Sequence, residues 1–198
     1  MRGLVLRAPK GDRVRPTQDR VREAVFSMLG ASVPGARALD LFAGTGAMGL
    51  EAASRGAAHV TWVEQDRRVA EVLKENTALL VKHPCETHVV CDEAARYLKR
   101  LQPNATINFH PLSLGPHPFP FSLVFADPPY EWVGRAGWGG IMDALAGGVL
   151  AEGGVFVAEQ AAPLPVWTGE GWEVLRDRVY GGTRVCVYKK ERKHGIDA

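Results

Sequence analysis

Residues 127–130 read Asp-Pro-Pro-Tyr, directly after the apolar run Ser122-Leu-Val-Phe-Ala126. Proline lacks an amide hydrogen and biases its predecessor away from the helical region, so paired prolines mark a stiff exit from a strand. A carboxylate and a fixed peptide carbonyl there can accept hydrogen bonds from the two N–H groups of an exocyclic nucleobase amine. Such acceptors favour a pyramidal nitrogen and localise a lone pair otherwise spread into the ring. Asp127 and the Pro128 carbonyl are the candidate acceptors, with Pro129 helping to hold the chain in place. Tyr130 offers a face for the base, and such stacking is worth about 1–3 kcal/mol.

A second constellation precedes it. Gly44-Thr-Gly-Ala-Met-Gly49 is a GxGxxG turn after a strand-like run, and Glu64 follows twenty residues past Gly44. Glycines allow close approach of backbone to ligand, and the acid can bind both ribose hydroxyls. NAD satisfies this pattern as well as any other adenosine cofactor. Asp40 discriminates: a further carboxylate beside the turn repels a pyrophosphate and attracts an ammonium or sulfonium, which points to S-adenosyl-L-methionine. Asp92, after the third strand, can accept from an adenine amino group or cap a helix.

These residues need a frame that brings them to one edge. Strand-like runs lie at 36–43, 59–65, 87–93, 121–127 and 153–160, with helical patterns between them at 47–55, 66–80, 93–101 and 139–150. Continuous apolar strands alternating with helices predict an α/β, doubly wound, mostly parallel sheet. The runs 172–180 and 183–191, joined only by Gly181-Gly182, predict an antiparallel C-terminal hairpin and complete seven strands. Near the start, Thr17 as N-cap, Asp19, apolar Val21, Ala24, Val25 and Met28, and Gly30 as a stop predict a helix. One compact domain is expected, with residues 1–30 as a basic segment and helix and residues 31–198 as the catalytic domain. The five prolines of residues 102–120 predict a surface loop.

The chain of 198 residues has a net charge of +2, unevenly spread. Residues 1–22 hold seven basic and two acidic side chains, as do residues 176–193, whereas residues 23–175 hold 10 basic and 17 acidic. Two basic ends on an acidic body suggest a polyanion held by the ends. There is no run of 18 apolar residues and no secretion signal at the N-terminus, which predicts a soluble, cytoplasmic protein without a membrane partner. Cys85, Cys91 and Cys186 do not suggest a disulfide framework and are expected to be reduced and mostly buried. His83, Cys85, His88 and Cys91 are too loosely spaced for zinc, and no metal is expected. Trp138 is expected to pack a loop, while Trp132 could do so or flank the base.

The stretches LDLFAGTGAMGLEAASRGA, VEQD and FADPPY resemble motifs of class I S-adenosylmethionine-dependent amino-methyltransferases, a Rossmann-like family. RVRPTQDRVREAVFSML at 13–29 and RVYGGTR at 178–184 resemble one branch, the bacterial ribosomal small subunit methyltransferase D family. The resemblance spans roughly residues 2–190, and its N-terminal stretch is more specific than DPPY, which adenine and cytosine methyltransferases also carry. It departs from the branch in a shortened opening strand, Met1-Arg2-Gly3, and in a longer proline-rich loop.

The resemblance implies methylation of guanine N2 in 16S rRNA, of the guanine-966 type, by in-line transfer to a flipped-out base. The substrate would be the small ribosomal subunit or an assembly intermediate, with no obligate protein partner. Asp127, Pro128, Pro129 and Tyr130 would be catalytic. The cofactor would rest on Asp40, Phe42, Gly44, Thr45, Gly46, Glu64 and Asp92, and the RNA on Arg13, Arg15, Arg20, Arg22 and Arg184. A DNA or other-RNA amino-methyltransferase acting on adenine N6 or cytosine N4 and an NAD-binding protein are the alternatives, and 198 residues leave little room for the target-recognition domain of a DNA enzyme.

Overall fold

In the computed structural model, the described residues are Arg7 and residues 16–80, 84–102 and 120–192. Helix α1 (Pro16–Leu29) leads into β1 (Arg37–Leu41), α2 (Ala47–Ser54), β2 (His59–Glu64), α3 (Arg67–Thr77), β3 (Glu86–Cys91), α4 (Ala94–Arg100) and β4 (Phe121–Ala126). Two short helices, α5 (Tyr130–Ala136) and α6 (Gly139–Ala144), precede β5 (Leu150–Ala161), β6 (Trp172–Tyr180) and β7 (Thr183–Lys190). The seven strands lie in the order β3-β2-β1-β4-β5-β7-β6. β1 to β5 are parallel, and β7 runs antiparallel to both β5 and β6. The doubly wound sheet and the terminal hairpin are therefore as the sequence predicts.

Alternation along the strands feeds two apolar layers. Leu39, Leu41, Val124, Phe156 and Ala158 pack with α4 and α6 on one face. Ala38, Leu123, Phe125, Val155 and Val157 pack with α1 and α2 on the other, where α1 contributes Val21, Val25, Phe26 and Leu29. The N-terminal helix is thus part of the core. It starts at Pro16, so Thr17 lies within its first turn rather than capping it. Proline suits that position because its fixed φ is already helical and no partner is needed for an amide there.

Three local departures follow from chain chemistry. The pattern predicted over 66–80 gives α3 with Asp66 as N-cap, accepting from the amides of Arg68 and Val69, followed by a tight 3₁₀ turn at Ala78–Leu80. The pattern over 139–150 breaks at Gly148, whose φ of +119° no helix admits, and α6 gives way to a wide π turn before β5 begins. Helix α5 was not foreseen, because the prolines before Tyr130 mask its start while its own run is short. Of the thiols only Cys186 is buried; Cys85 is half-buried and Cys91 exposed, since β3 is an edge strand. Among the described residues no helix is long and apolar enough to cross a membrane. The predicted proline-rich loop lies almost wholly outside the described residues.

Candidate active site

The carboxyl ends of β1, β2, β3, β4 and β5 open into one cavity of about 590 Å³. Its lining includes Phe42, Glu64, Asp92, Asp127, Pro128, Pro129 and Tyr130, so most of the expected chemistry-bearing residues share one space. Val21 of α1, Glu159 of β5, and Gly182 and Thr183 of the terminal hairpin also line it.

The glycine turn builds one side. Phe42, the first residue beyond β1, is held at φ +59°, the one described non-glycine residue at positive φ. Such a backbone costs on the order of 1–3 kcal/mol and is typical of a ligand clamp. Its ring meets the half-buried Trp132 edge-on at 5.0 Å, and Trp132 in turn meets Trp138 at 6.2 Å. Trp138 packs in the core as expected, donating its indole N–H to Gln160 Oε1 at 2.5 Å. Gly44, at φ +54°, would have open space around an added Cβ. Gly49 has none: a Cβ there would stand 2.2 Å from Trp62 Nε1. The third glycine therefore serves close packing of α2 on β2, and the first leaves the rim clear.

The acids divide by what holds them. Glu64 accepts from the Gly44 amide through Oε2 at 2.9 Å and from the Asp66 amide through Oε1 at 2.7 Å. It therefore braces the turn as well as lining the cavity. Asp92 accepts from the Glu93 amide at 2.9 Å and is paired with Arg96 and Arg100 of α4. Asp40 is buried and accepts through Oδ2 from the Gly49 amide at 2.9 Å. It lies behind the turn and outside the cavity lining, and the turn residues Gly44, Thr45 and Gly46 also fall outside that lining. Burial drives the Asp40 carboxyl up to about 8, opposed by the Gly49 amide and reinforced by Asp127 and Glu64.

Asp127 opens onto the cavity at the end of β4, and desolvation by the surrounding protein pushes its carboxyl up to about 6. The Tyr130 hydroxyl and Thr183 Oγ1 share a hydrogen bond of 2.6 Å, which ties the DPPY turn to the hairpin. Tyr130 remains 44% exposed, so its ring stays available to a ligand. Sequence reasoning missed Glu159, Thr183 and Val21. The facing of Glu159 was legible, since it lies two residues before the end of the strand beside β4 and, counted on from the core valines Val155 and Val157, faces as Asp127 does; its pairing with Asp127 was not.

The basic residues are only partly placed. Arg13 and Arg15 lie outside the described residues. Arg20 is exposed on α1, one residue from Val21 in the cavity wall; Arg22 is half-buried and pairs with Asp19 at 2.9 Å. Arg184 pairs with Asp177 at 3.3 Å on the hairpin. Of the loosely spaced metal-type residues, His83 lies outside the described residues. His88 turns instead to Glu86 at 3.3 Å, which also meets His59 at 3.5 Å, at the sheet edge opposite the cavity. Cys91 points to the Gln65 carbonyl.

The family described as Conserved hypothetical protein 95 matches residues 1–189. Ribosomal RNA small subunit methyltransferase D of Escherichia coli strain K12 is 32% identical over 204 residues, which span 100% of this chain and 90% of that protein. The chain belongs to the ribosomal small subunit methyltransferase D family. The protein of that name from Haemophilus influenzae is 31% identical, over 95% of this chain and 89% of its own length. The solved structure described as putative methyltransferase yhhF from Escherichia coli superposes with a TM-score of 0.73 at 32% identity, covering 94% of this chain and 92% of that one. The sheet order and the hairpin are accordingly those of a class I methyltransferase.

Proposed function

We propose that the chain is an S-adenosyl-L-methionine-dependent methyltransferase acting on the exocyclic N2 amine of a guanine in 16S rRNA, within the small ribosomal subunit or an assembly intermediate. One observation carries the reading: Asp127 and Pro128, at the end of β4, line the same cavity as Phe42, Glu64 and Asp92 beside the glycine turn. Family membership supports it, as do relatives named for rRNA methylation.

The residues suit this donor. Glu64, Asp92 and Asp127 give the cavity an acidic lining, which favours a ligand carrying ammonium and sulfonium charges and disfavours a pyrophosphate. The clear rim at Gly44 admits a ligand against the backbone. Phe42, Gly44, Glu64 and Asp92 would hold it, with Asp40 and Gly46 shaping the turn from behind; bound there, the cofactor supplies an electrophilic methyl group. Asp127 and the Pro128 carbonyl accept from the two N–H groups of the guanine amine and localise its lone pair. Tyr130, fixed by Thr183, stacks on the base. Arg20, Arg22 and Arg184, with Arg13 and Arg15, engage the RNA backbone.

Labelled S-adenosyl-L-methionine and small subunits from cells lacking the gene test the reading, with mass mapping of the product. A single N2-methylated guanine is expected. Asp127→Ala should cut kcat by about 10²–10³-fold, the usual effect of removing one pre-organised polar contact, with cofactor affinity retained by calorimetry. Label confined to DNA, or full turnover by the variant, would refute it.

A further inference from the structure

Glu159 has no part in the roles assigned to Asp127, Pro128 and Tyr130, yet it shares their cavity. Phe125 pairs with Val157 and Ala126 with Ala158 across the parallel β4–β5 ladder. One step further, Asp127 and Glu159 stand next to each other at the carboxyl edge. Leu123 and Phe125 on β4, and Val155 and Val157 on β5, all face the α1 layer. Side chains alternate, so both acids emerge on that same face. The next residue, Gln160, points the opposite way and is fully occupied there. Its amide nitrogen donates to the carbonyls of Leu164 and Pro165, and its oxygen accepts from Trp138. That clamp sets the end of β5 and leaves Glu159 in the cavity wall between Asp127 and the Gly182–Thr183 turn.

A second carboxylate beside the first is costly unless a ligand supplies hydrogen. Burial and the neighbouring Asp127 push the Glu159 carboxyl up to about 8. The group is poised to ionise when donors arrive.

Guanine is the base whose exocyclic amine lies next to a ring N–H. Adenine N6 and cytosine N4 are each flanked by a ring nitrogen that carries a lone pair. We propose that Glu159 is a specificity residue that accepts the N1–H of the target guanine while Asp127 and Pro128 engage its N2 amine. This rests on the methyltransferase reading and adds to it the choice of base. N1 of adenine or N3 of cytosine offers a lone pair and no hydrogen, so those bases lack the donor that the carboxylate takes from guanine N1. Thr183, engaged with Tyr130, fixes the wall on the far side of this pair and keeps the base from sliding past Glu159.

The test replaces the mapped target guanine by 2-aminopurine, which keeps the exocyclic amine at C2 and has an unprotonated N1. Wild-type protein should methylate the 2-aminopurine RNA with kcat/KM about 10- to 100-fold below the guanine RNA, the usual discrimination carried by a good base contact. Glu159→Gln can turn its NH2 toward the unprotonated N1. It should lower the guanine rate and raise the 2-aminopurine rate, narrowing the ratio at least about tenfold. Glu159→Ala should narrow it through the guanine side alone. Fluorescence of 2-aminopurine on titration with each protein gives an equilibrium readout, with tighter binding expected for Glu159→Gln than for wild type. Cofactor affinity unchanged within about twofold in the variants distinguishes base reading from damage to the fold. A guanine to 2-aminopurine ratio that is the same in wild type and Glu159→Gln, with guanine methylated normally, would overturn the role of Glu159 alone. Wild-type protein that methylates neither RNA would overturn the methyltransferase reading and this proposal together.

Discussion

Replacing Asp40 by asparagine should make the protein less sensitive to alkali. In the folded chain this carboxyl is 3% exposed and burial raises it from 3.8 to about 8. An acid whose pKa is raised on folding holds its proton in the native state after the unfolded chain has released it. Stability is therefore full below the unfolded value and declines as pH rises toward the folded one. Each pH unit in that window costs about 1.4 kcal/mol for one such group. Between about pH 5 and pH 7.5 Asp40 alone costs about 3 kcal/mol, an upper figure because neighbouring acids relax as it ionises. For a domain of this size that corresponds to on the order of 6–12 °C in melting temperature. Asparagine keeps an acceptor for the Gly49 amide and cannot ionise. Thermal melts of both proteins across this range should diverge with rising pH, the variant becoming the more stable. Asp127 and Glu159 titrate in the same direction but are present in both, so the difference reports Asp40. Curves that stay parallel from pH 5 to 7.5 would refute the assignment of a buried, proton-retaining carboxyl.

Two further outcomes are expected. Gly49→Ala drives a methyl group into the Trp62 indole and within 2.8 Å of Val60 Cγ1, and should cost about 1–3 kcal/mol by overpacking, read as a lower urea midpoint; an unchanged midpoint would show that α2 can lift away without penalty. Charge reversal of Arg20 together with Arg22 should weaken RNA binding and flatten its dependence on salt by about one unit of slope for each phosphate no longer neutralised, measured by filter binding over a series of KCl concentrations, and an unaltered slope would remove α1 from the RNA interface.

What the sequence disclosed was whatever rests on local periodicity or on a turn with few solutions. The five parallel strands, the two-glycine hairpin and the strand-exit position of Asp127 all depend on neighbours within a few residues, and all are found as expected. Asp40 illustrates the limit. Its place at the end of β1 was legible, but its orientation toward Gly49 and away from the cavity depends on how α2 packs. Glu159 was hidden for a related reason: it becomes a neighbour of Asp127 only across a ladder between segments 32 residues apart in sequence. Helix α1 gave a strong pattern, yet nothing local says that its Val21 closes the cavity.

The reversed direction of β7 has a consequence for how such proteins diversify. Because that strand runs against β5, its beginning, and not its end, arrives at the crevice, bringing Gly182 and Thr183 with it. Insertion of a residue into the two-glycine turn would reshape the wall that meets the acceptor while leaving the loop after β1 untouched. The loop after β1 and the turn before β7 thus lie on pieces of chain more than a hundred residues apart, which lineage or engineer can vary one at a time.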